Sequence, residues 1–477
     1  MTSWRFPPHT NSLDPLTGDS RANSLPLRRT SSGPHLADKM ASKDDAQTTH
    51  ATVLPEIYHG ATNDSRTDAA DLTVRTLDAS KEMIINGVVY DVGAFIKRHP
   101  GGKVITYQLG TDASDAYNNF HIRSKKANKM LASFPSRPVD ADYEQDALSK
   151  DFEKLRAQLE EEGYFEPNLA HVFYRFFEVI AMYAAGIAMI WSGYWWSGAL
   201  MAGIAQGRCG WLQHEGGHYS LTGNIKMDRH LQMITYGLGC GMSGCYWRNQ
   251  HNKHHTTPQK LGADPDLQTL PLVAFHKIIG KKGAKSWIAM QAPLFFGGVI
   301  TTLVAFGWQF VMHPKHAQRV GNYLELAYIA ARYVIWHKLF GYMGLYQSFG
   351  LYMFYLCIGS TYIFTNFAVS HTHKDVIPKT KHISWTLYSA NHTTNCTSSW
   401  WCNWWMAYLN FQIEHHLFPS MPQYNHPKIS PRVMALFAKH GVEYDVRSYW
   451  TCMKVTYLNL WKVGNYDYSK VDTSKAE

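Results

Sequence analysis

The stretch His214-Glu-Gly-Gly-His218 follows an apolar run at residues 199–212 and is the first of three tight histidine groups in this chain. The second group is His251-Asn-Lys-His254-His255, and the third is Gln412-Ile-Glu-His415-His416. In the first two groups the outer histidines are four residues apart, so on a helix both rings of each pair lie on one face. Imidazoles that converge from separate segments are well suited to binding iron. The pattern therefore predicts a helical iron centre at a membrane.

Five apolar stretches surround these groups, at 171–191, 199–212, 290–312, 324–341 and 345–369. The segment after the first two is rich in lysine and arginine, which marks it as cytosolic. If all three groups share one site, an even number of crossings must separate His255 from the third group, so one of the last three stretches does not span. Residues 324–341 contain Glu325, Arg332, His337 and Lys338 and are the costliest to bury, so we expect them to lie in the membrane interface.

Composition sets further limits. The chain has 477 residues and a formal net charge of +9, without the basic stripe of a nucleic-acid-binding protein, and this charge suits an anionic membrane surface. The seven cysteines are scattered, form no Cys-x-x-Cys pair and are absent from the first two hundred residues. They predict neither a disulfide framework nor a structural zinc site, and they favour a reducing, cytosol-facing setting.

The N-terminal residues 1–75 lack hydrophobic periodicity and are predicted to be disordered. They contain no apolar core of a secretory signal. Two interpretations stay open: a weak organelle transit peptide, or an upstream extension with Met40 as the working start.

Residues 76–145 form a predicted small domain. Two apolar runs, 83–85 and 88–90, flank Asn86-Gly87, a strong hairpin signal. His99-Pro-Gly-Gly follows, and His121 is the only other histidine between His99 and His171. Two axial imidazoles can hold a haem iron that carries electrons. This stretch resembles the cytochrome b5 domain, a small α+β fold, and the resemblance implies haem b bound by His99 and His121 and reduced by a separate reductase.

The charged residues 146–165 are a predicted linker, and residues 466–477 form a tail. The region between them, 166–465, resembles the membrane fatty acid desaturases of the front-end type with a fused cytochrome b5 domain. The resemblance implies an α-helical integral membrane fold with about four transmembrane helices and a cytosolic helical cap that binds two non-haem irons. The ligands it implies are His214, His218, His251, His254, His255, His415 and His416. Gln412 stands where most desaturases have histidine, and we expect it at the metal site as a weak or supporting partner.

An eighth ligand is needed. In related desaturases it comes from the end of the last membrane helix, and we choose His371, with His373 and His392 as weaker candidates. Four carboxylates lie near the ligands in sequence and either support them or are simply exposed: Glu215, Asp264, Asp266 and Glu414. The tryptophan-rich run 400–408 is either the wall of an acyl tunnel or an interfacial aromatic belt, and the belt is slightly favoured.

The resemblance implies an oxygen-dependent acyl desaturase of the endoplasmic reticulum membrane, with both metal sites facing the cytosol. Electrons would pass from NADH through cytochrome b5 reductase and the haem to the two irons, and O2 would be reduced to two waters. The substrate would be a polyunsaturated acyl chain on CoA or phospholipid. Stretches around the histidine groups look most like algal enzymes. We expect delta-5 desaturation of twenty-carbon chains, giving arachidonic and eicosapentaenoic acids, with delta-6 or delta-8 as alternatives.

Other classes stay open. A membrane hydroxylase would use the same ligands, and a membrane-tethered haem carrier would need only His99 and His121. A zinc hydrolase would fit the His-Glu-x-x-His likeness of residues 214–218, but it would not explain the surplus of imidazoles.

Overall fold

The computed structural model describes residues 71–283 and 285–470. Most of the predicted disordered extension and of the C-terminal tail lies outside these residues.

The first domain is a small sheet with two helices. Strands β1 (Glu82–Ile85) and β2 (Val88–Asp91) pair antiparallel with Ile85 opposite Val88, and β3 (Ser136–Pro138) adds to β2. Asn86 and Gly87 both have positive φ (50° and 76°), as the tight turn between two such strands requires. The predicted hairpin is therefore present. Helices α1 (Ser114–His121) and α2 (Lys125–Leu131) complete the domain.

The predicted linker is a packed helix, α3 (Ala147–Glu161). Asp146 caps it by accepting a hydrogen bond from the Ser149 backbone N–H at 3.0 Å. Its apolar face buries Phe152 and Leu159 in the same cluster as Phe418, far along the chain. The segment therefore joins the two parts of the protein through a shared core.

Two long helices follow and form a hairpin: α4 (Leu169–Trp191) and α5 (Trp195–Gly217). The side chains of Phe173, Phe177 and Ile180 lie on one face of α4 and are more than 60% exposed. Such an outward apolar stripe is expected of a helix in contact with lipid.

The middle of the chain consists of shorter helices and then a second long hairpin. The short helices are α6 (Ile225–Met233), α7 (Gly244–Thr256), α8 (Lys277–Gly280), α9 (Lys285–Ala289), α10 (Gln291–Phe296), α11 (Val299–Gly307) and α12 (His313–Arg319). The hairpin consists of α13 (Tyr323–Phe340) and α14 (Leu345–His371). By length and composition, two helices of the described chain, α4 and α14, could cross a membrane.

Both hairpin turns lie at the same end of the bundle, opposite the histidines. The indole N–H of Trp191 donates to the Leu339 carbonyl at 3.2 Å, and Phe340 packs with Ile190 and Ala199. At the other end, α5 terminates in His214 and His218 and α14 terminates in His371. We call this other end the histidine end.

Residues 324–341, which the sequence predicts to lie in the interface, form a helix that runs along the bundle. Helix α13 begins near the histidine end, where Glu325 accepts a hydrogen bond from the Cys245 backbone N–H at 3.0 Å, and it runs to Phe340 at the turn end. Two of its charged side chains point inward: Glu325 is fully buried, and the Arg332 guanidinium donates to the carbonyls of Leu238 and Gly239. The third, Lys338 in the last turn, is exposed. Because the two inward charges are satisfied inside the protein, burying the helix does not expose them to lipid.

The stretch 290–312 does not form one uninterrupted helix. It is interrupted at Gly298 (φ 87°), and beyond that glycine α11 continues through a π-helical segment, Trp308–Met312, into α12. Phe295 packs with Ala368 near the histidine end, and His313 returns there to accept the Ser243 backbone N–H at 2.9 Å. Four helices of the described chain, α4, α5, α13 and α14, have 18 or more residues, and the expectation of about four transmembrane helices stays a prediction for α5 and α13.

The C-terminal part caps the histidine end. It consists of α15 (Trp385–His392), β4 (Asn395–Cys396), α16 (Trp400–Trp405), α17 (Gln412–Leu417), α18 (His426–Lys439), β5 (Val446–Arg447) and α19 (Tyr449–Gly464), with β4 parallel to β5. The buried Glu414 accepts hydrogen bonds from Asn395 and Tyr444 and so ties α17 to the segment beside β5. All seven cysteines are free thiols.

Candidate metal and haem sites

Five of the predicted ligands meet in one buried group. Their ligand nitrogens lie within 4.8 Å of one another, although the residues come from the end of α5, from α7 and from α17: His214, His218, His251, His255 and His415. The four-residue spacing of the first two groups places each pair on one helix face, as the sequence predicts. The fold then brings α17 against both helices.

A second group adjoins the first. It contains His254, His371 and His416, again within 4.8 Å of one another and all buried. The rings of His255 and His416 are stacked at 4.1 Å between centroids, so the two groups are in direct contact. The eight predicted histidines therefore divide into a five-histidine group and a three-histidine group.

Hydrogen bonds from outside the groups fix which nitrogen faces inward. His254 Nδ1 lies 3.1 Å from both Asp264 carboxylate oxygens, and His371 Nδ1 donates to the His392 carbonyl at 3.1 Å. With each Nδ1 carrying the proton, Nε2 presents its lone pair to the group interior. This is the arrangement that outer partners give to metal-binding histidines.

Many nitrogens of these groups lack protein partners, although the Nε2 atoms of His251 and His255 lie 3.0 Å apart. Among the described residues, several buried imidazole nitrogens have no hydrogen-bond partner: those of His214 and His218 at Nε2, His255 at Nδ1, and His415 and His416 at both positions. Leaving a buried polar atom unpaired costs about 1–3 kcal/mol, so this many in one place would be strongly destabilising unless something binds them. Metal ions satisfy this demand, and the residues present fit two of them.

Burial sets the protonation of these rings. It lowers the pKa of His251, His255, His415 and His416 well below the usual value, which favours the neutral form that binds metal. His254 differs, because burial lowers its pKa but the carboxylates of Asp264 and Asp266 outweigh that effect and raise it to about 9. At this position a metal would replace a proton.

Gln412 lies in the three-histidine group. Its amide nitrogen is 2.9 Å from His371 Nε2, and the side chain is buried. An amide offers both a donor and an acceptor, so a half-turn of this group would direct its oxygen to the same place. Gln412 therefore lies beside His371, and its role as a partner of a metal stays a prediction.

The four carboxylates near the ligands in sequence differ in what they contact. Asp264 contacts His254 directly, and Asp266 lies 3.4 Å from the same ring but is 62% exposed. Glu414 contacts none of the eight histidines and instead holds α17 in place, as described above. Glu215 forms a buried ion pair with Arg175 at 3.4 Å and is likewise not a direct partner. Glu414 and Glu215 therefore fit neither of the two open interpretations, because both are buried and neither bonds a predicted ligand directly.

The sequence analysis missed Gln423 and His426. The Gln423 amide lies 2.8 Å from His214 Nδ1, and its backbone N–H donates to Glu215. His426 is fully buried, with its ring 6.0 Å from that of His415. Both residues follow the third group within a dozen positions, which is the one signal that could have drawn attention to them. The weaker candidates His373 and His392 belong to neither group and bond Thr394 and the Asp375 carbonyl.

His99 and His121 face each other in the first domain. Their ring centroids are 6.2 Å apart, and each metal–nitrogen bond is about 2 Å, so one iron fits between the rings. His121 Nδ1 donates to the Tyr117 carbonyl at 3.0 Å, and His99 Nδ1 lies 3.3 Å from the Gly102 carbonyl, which leaves both Nε2 atoms available. Burial lowers the pKa of both rings, that of His121 to about 4. The pair fits a bis-histidine haem.

A cavity of about 570 Å³ leads away from the three-histidine group. His251, His254, His371 and Gln412 line it beside the histidine groups, and mainly apolar residues of the loop 265–275, of α11 and of α14 line most of the rest. The volume and lining are typical of a site for a small, largely apolar ligand. Its walls do not include the tryptophans of residues 400–405; Trp400 is 83% exposed, which favours the interfacial belt.

Known proteins share both parts of this architecture. A family model described as fatty acid desaturase matches residues 175–448, and one described as cytochrome b5-like heme/steroid binding domain matches residues 70–138. The chain is 57% identical to an acyl-lipid (8-3)-desaturase of Rebecca salina, over 82% of this chain and 93% of that protein. It is 41% identical to an acyl-lipid (8-3)-desaturase of a Thraustochytrium species, over 85% and 98%.

A more distant relative also carries the name of a fatty acid desaturase. Fatty acid desaturase 3 of Bos taurus is 29% identical over 82% of this chain and 91% of its own length. The chain therefore belongs to the fatty acid desaturase family, as a membrane-bound front-end oxidoreductase with a fused cytochrome b5-like domain.

Proposed function

We propose that the two histidine groups hold two non-haem irons, one in the five-histidine group and one in the three-histidine group with Gln412 beside it. The observation that carries this proposal is the cluster of buried, unpartnered imidazole nitrogens divided between two adjoining groups. The chemistry that such a pair supplies with O2 is the removal of two hydrogens from unactivated methylenes, with O2 reduced to two waters. The ligand spacing alone would also serve a hydroxylase.

The chain's own residues would position the substrate. An acyl chain in the apolar cavity passes His251, His254 and Gln412, so its reacting carbons lie next to the metal groups. Trp247, stacked on His251 at 4.1 Å, closes one wall and keeps water away from these rings. Asp264 holds His254 in one tautomer throughout.

We propose that electrons reach the metal groups from haem b bound by His99 and His121, and that an NADH-dependent cytochrome b5 reductase reduces this haem. We also propose that the histidine end faces the cytosol from the endoplasmic reticulum membrane. The lysines of residues 277–285 and the cations Lys315 and Arg319 support this orientation. Phe275 shares the Asn459 amide with Thr372, next to His371, and His313 accepts the Ser243 backbone N–H, so both cationic segments lie near the histidine end.

For the substrate, we propose the acyl-lipid (8-3)-desaturation for which the two algal and thraustochytrid relatives are named, on a lipid-linked polyunsaturated chain. The number 8 in these names matches the delta-8 alternative directly and does not by itself support delta-5. Delta-5 fits the same name only if 8 marks an existing double bond and 3 the carbons from it to the new one. The two readings require different substrates.

Expression in yeast lacking polyunsaturated fatty acids tests the proposal. The cells would be fed, one at a time, a twenty-carbon acid with its first double bond at carbon 11, one with its first double bond at carbon 8, and eighteen-carbon linoleic acid. A new bond at carbon 8 in the first acid identifies delta-8, and one at carbon 5 in the second identifies delta-5. Conversion of linoleic acid alone, or a hydroxylated product, would contradict the proposal.

A further inference from the structure

Helix α1, which ends in the haem-site residue His121, is embedded in the desaturase part of the chain. Ala116 is buried in the same apolar cluster as Trp385 and Leu417, and Phe120 packs against that cluster. The two domains are therefore in close contact at the haem-bearing helix.

Polar contacts fix this helix in place. The Ser420 hydroxyl donates to the Asn119 carbonyl at 3.3 Å, and the Arg123 guanidinium donates to the carbonyls of Ser420 at 3.3 Å and of Phe165. Ser420 lies just beyond α17, the helix that carries His415 and His416. The position of α1 is thereby coupled to the position of the metal ligands.

A short series of contacts connects the two sites. The rings of Phe120 and Trp385 meet edge to face at 5.5 Å between centroids, and the Trp385 indole N–H donates to the Leu417 carbonyl at 3.3 Å. Phe120 directly precedes His121, and Leu417 directly follows His416. Two aromatic rings and one hydrogen bond thus connect Phe120, next to His121 of the haem site, with Leu417, next to His416 of the three-histidine group.

A second contact between the domains is less direct. The turn that begins at Gly102, three residues after His99, approaches α7 at Asn249, whose amide nitrogen would lie 3.3 Å from a Cβ at Gly102. The Asn249 side chain accepts a hydrogen bond from Lys253 at 3.0 Å and belongs to neither histidine group. This contact is polar and ends two residues away from His251.

We propose that Phe120 and Trp385 form a fixed bridge by which electrons pass from the haem site to the three-histidine group. The inference rests on the proposed function, because it requires haem and iron at these sites. Each transfer oxidises one ferrous haem to ferric and reduces one ferric non-haem ion to ferrous; no bond forms or breaks and no proton moves. The NADH-dependent reductase restores the ferrous haem, and two transfers serve one turnover. Phe120 and Trp385 act as positioning residues.

The test uses the full-length holoenzyme with Trp385→Leu, Trp385→Phe, Phe120→Leu and Asn249→Ala. Trp461→Leu, a half-exposed tryptophan on α19, is the matched control. Haem and iron content are measured first. The haem is then reduced anaerobically with NADH and reductase, and its reoxidation is followed by absorbance after mixing with O2 and substrate. A parallel sample is reduced fully with dithionite, so that one turnover needs no transfer between the domains.

We expect Trp385→Leu and Phe120→Leu to slow haem reoxidation severalfold while the dithionite-reduced samples give a normal single turnover. Trp385→Phe should retain most of the rate, since it keeps an aromatic ring, and Trp461→Leu should behave as the unmodified protein. Unchanged reoxidation in both leucine variants, or slowing in Asn249→Ala instead, would overturn the proposal. If Trp385→Leu loses iron, the reoxidation rate of Phe120→Leu tests the proposal instead, because Phe120 lies in the haem domain and not beside the metal ligands. Absence of the dithionite turnover in the unmodified protein would instead refute the proposed function.

Discussion

At the scale of single residues, Asp264 decides which nitrogen His254 presents to a metal. Both of its oxygens lie 3.1 Å from Nδ1, and its carboxylate also accepts the backbone N–H groups of Gln259 and Asp266. The carboxylate is therefore held rigidly and holds the ring in turn. The neighbouring Asp266, mostly exposed, lacks this support.

We predict that Asp264→Asn lowers iron affinity at the three-histidine group by about 10- to 100-fold, because supporting partners of metal-binding histidines contribute to that extent. Iron content after dialysis against a chelator measures the effect. Asp266→Asn is the control and should retain iron as the unmodified protein does. Equal retention by both variants would show that Asp264 does not support a metal ligand.

Gln412 gives a second test at this scale. Gln412→Ile keeps similar bulk but removes both polar atoms next to His371. We predict loss of product formation with haem absorbance unchanged, measured in membranes from expressing cells. A fully active isoleucine variant would show that the position only fills space.

The sequence predicts the histidines better than their partners. Helical spacing identifies His214, His218, His251 and His255, because side chains four residues apart share a face. Gln423 has no such rule, since it reaches His214 only through the tertiary packing of the cap on α5. His371 could be chosen only because a resemblance directs attention to the end of the last apolar stretch.

At the scale of the helices, α13 shows that the direction of charged side chains matters as well as their number. Glu325 and Arg332 are seven residues apart, which places them on one face of α13, and that face is inward. The outward face carries Val334 and Ile335, both about half exposed. A count of the charges alone makes α13 look too polar for a membrane. The seven-residue spacing shows instead that Glu325 and Arg332 share one buried face.

This arrangement predicts the sidedness of Lys315, an exposed residue on α12 just before α13. In sealed microsomes, a cysteine at Lys315 should react with a membrane-impermeant maleimide, because the histidine end faces the cytosol. A cysteine at Tyr346, 90% exposed at the turn end, should react only after the membrane is opened with detergent. Protection of the Lys315→Cys site would mean that residues 290–312 cross the membrane after all.

At the scale of the whole molecule, the haem site and the metal groups are built from separate residues and should fail separately. His99→Ala should abolish haem absorbance and product formation but leave non-haem iron in place. His251→Ala should lose non-haem iron and product formation but keep normal haem absorbance. Haem spectra and iron analysis on the same preparations make the comparison, and full activity in His99→Ala would contradict the relay role of the haem domain.

The central claim is a two-iron centre served by one haem, and counting the metals tests it most directly. Total iron, zinc and haem would be measured on one sample of the purified full-length protein. The account predicts three irons and one haem per chain, hence two non-haem irons, with negligible zinc. Iron equal to haem, with the histidine groups empty or filled by zinc, would contradict it.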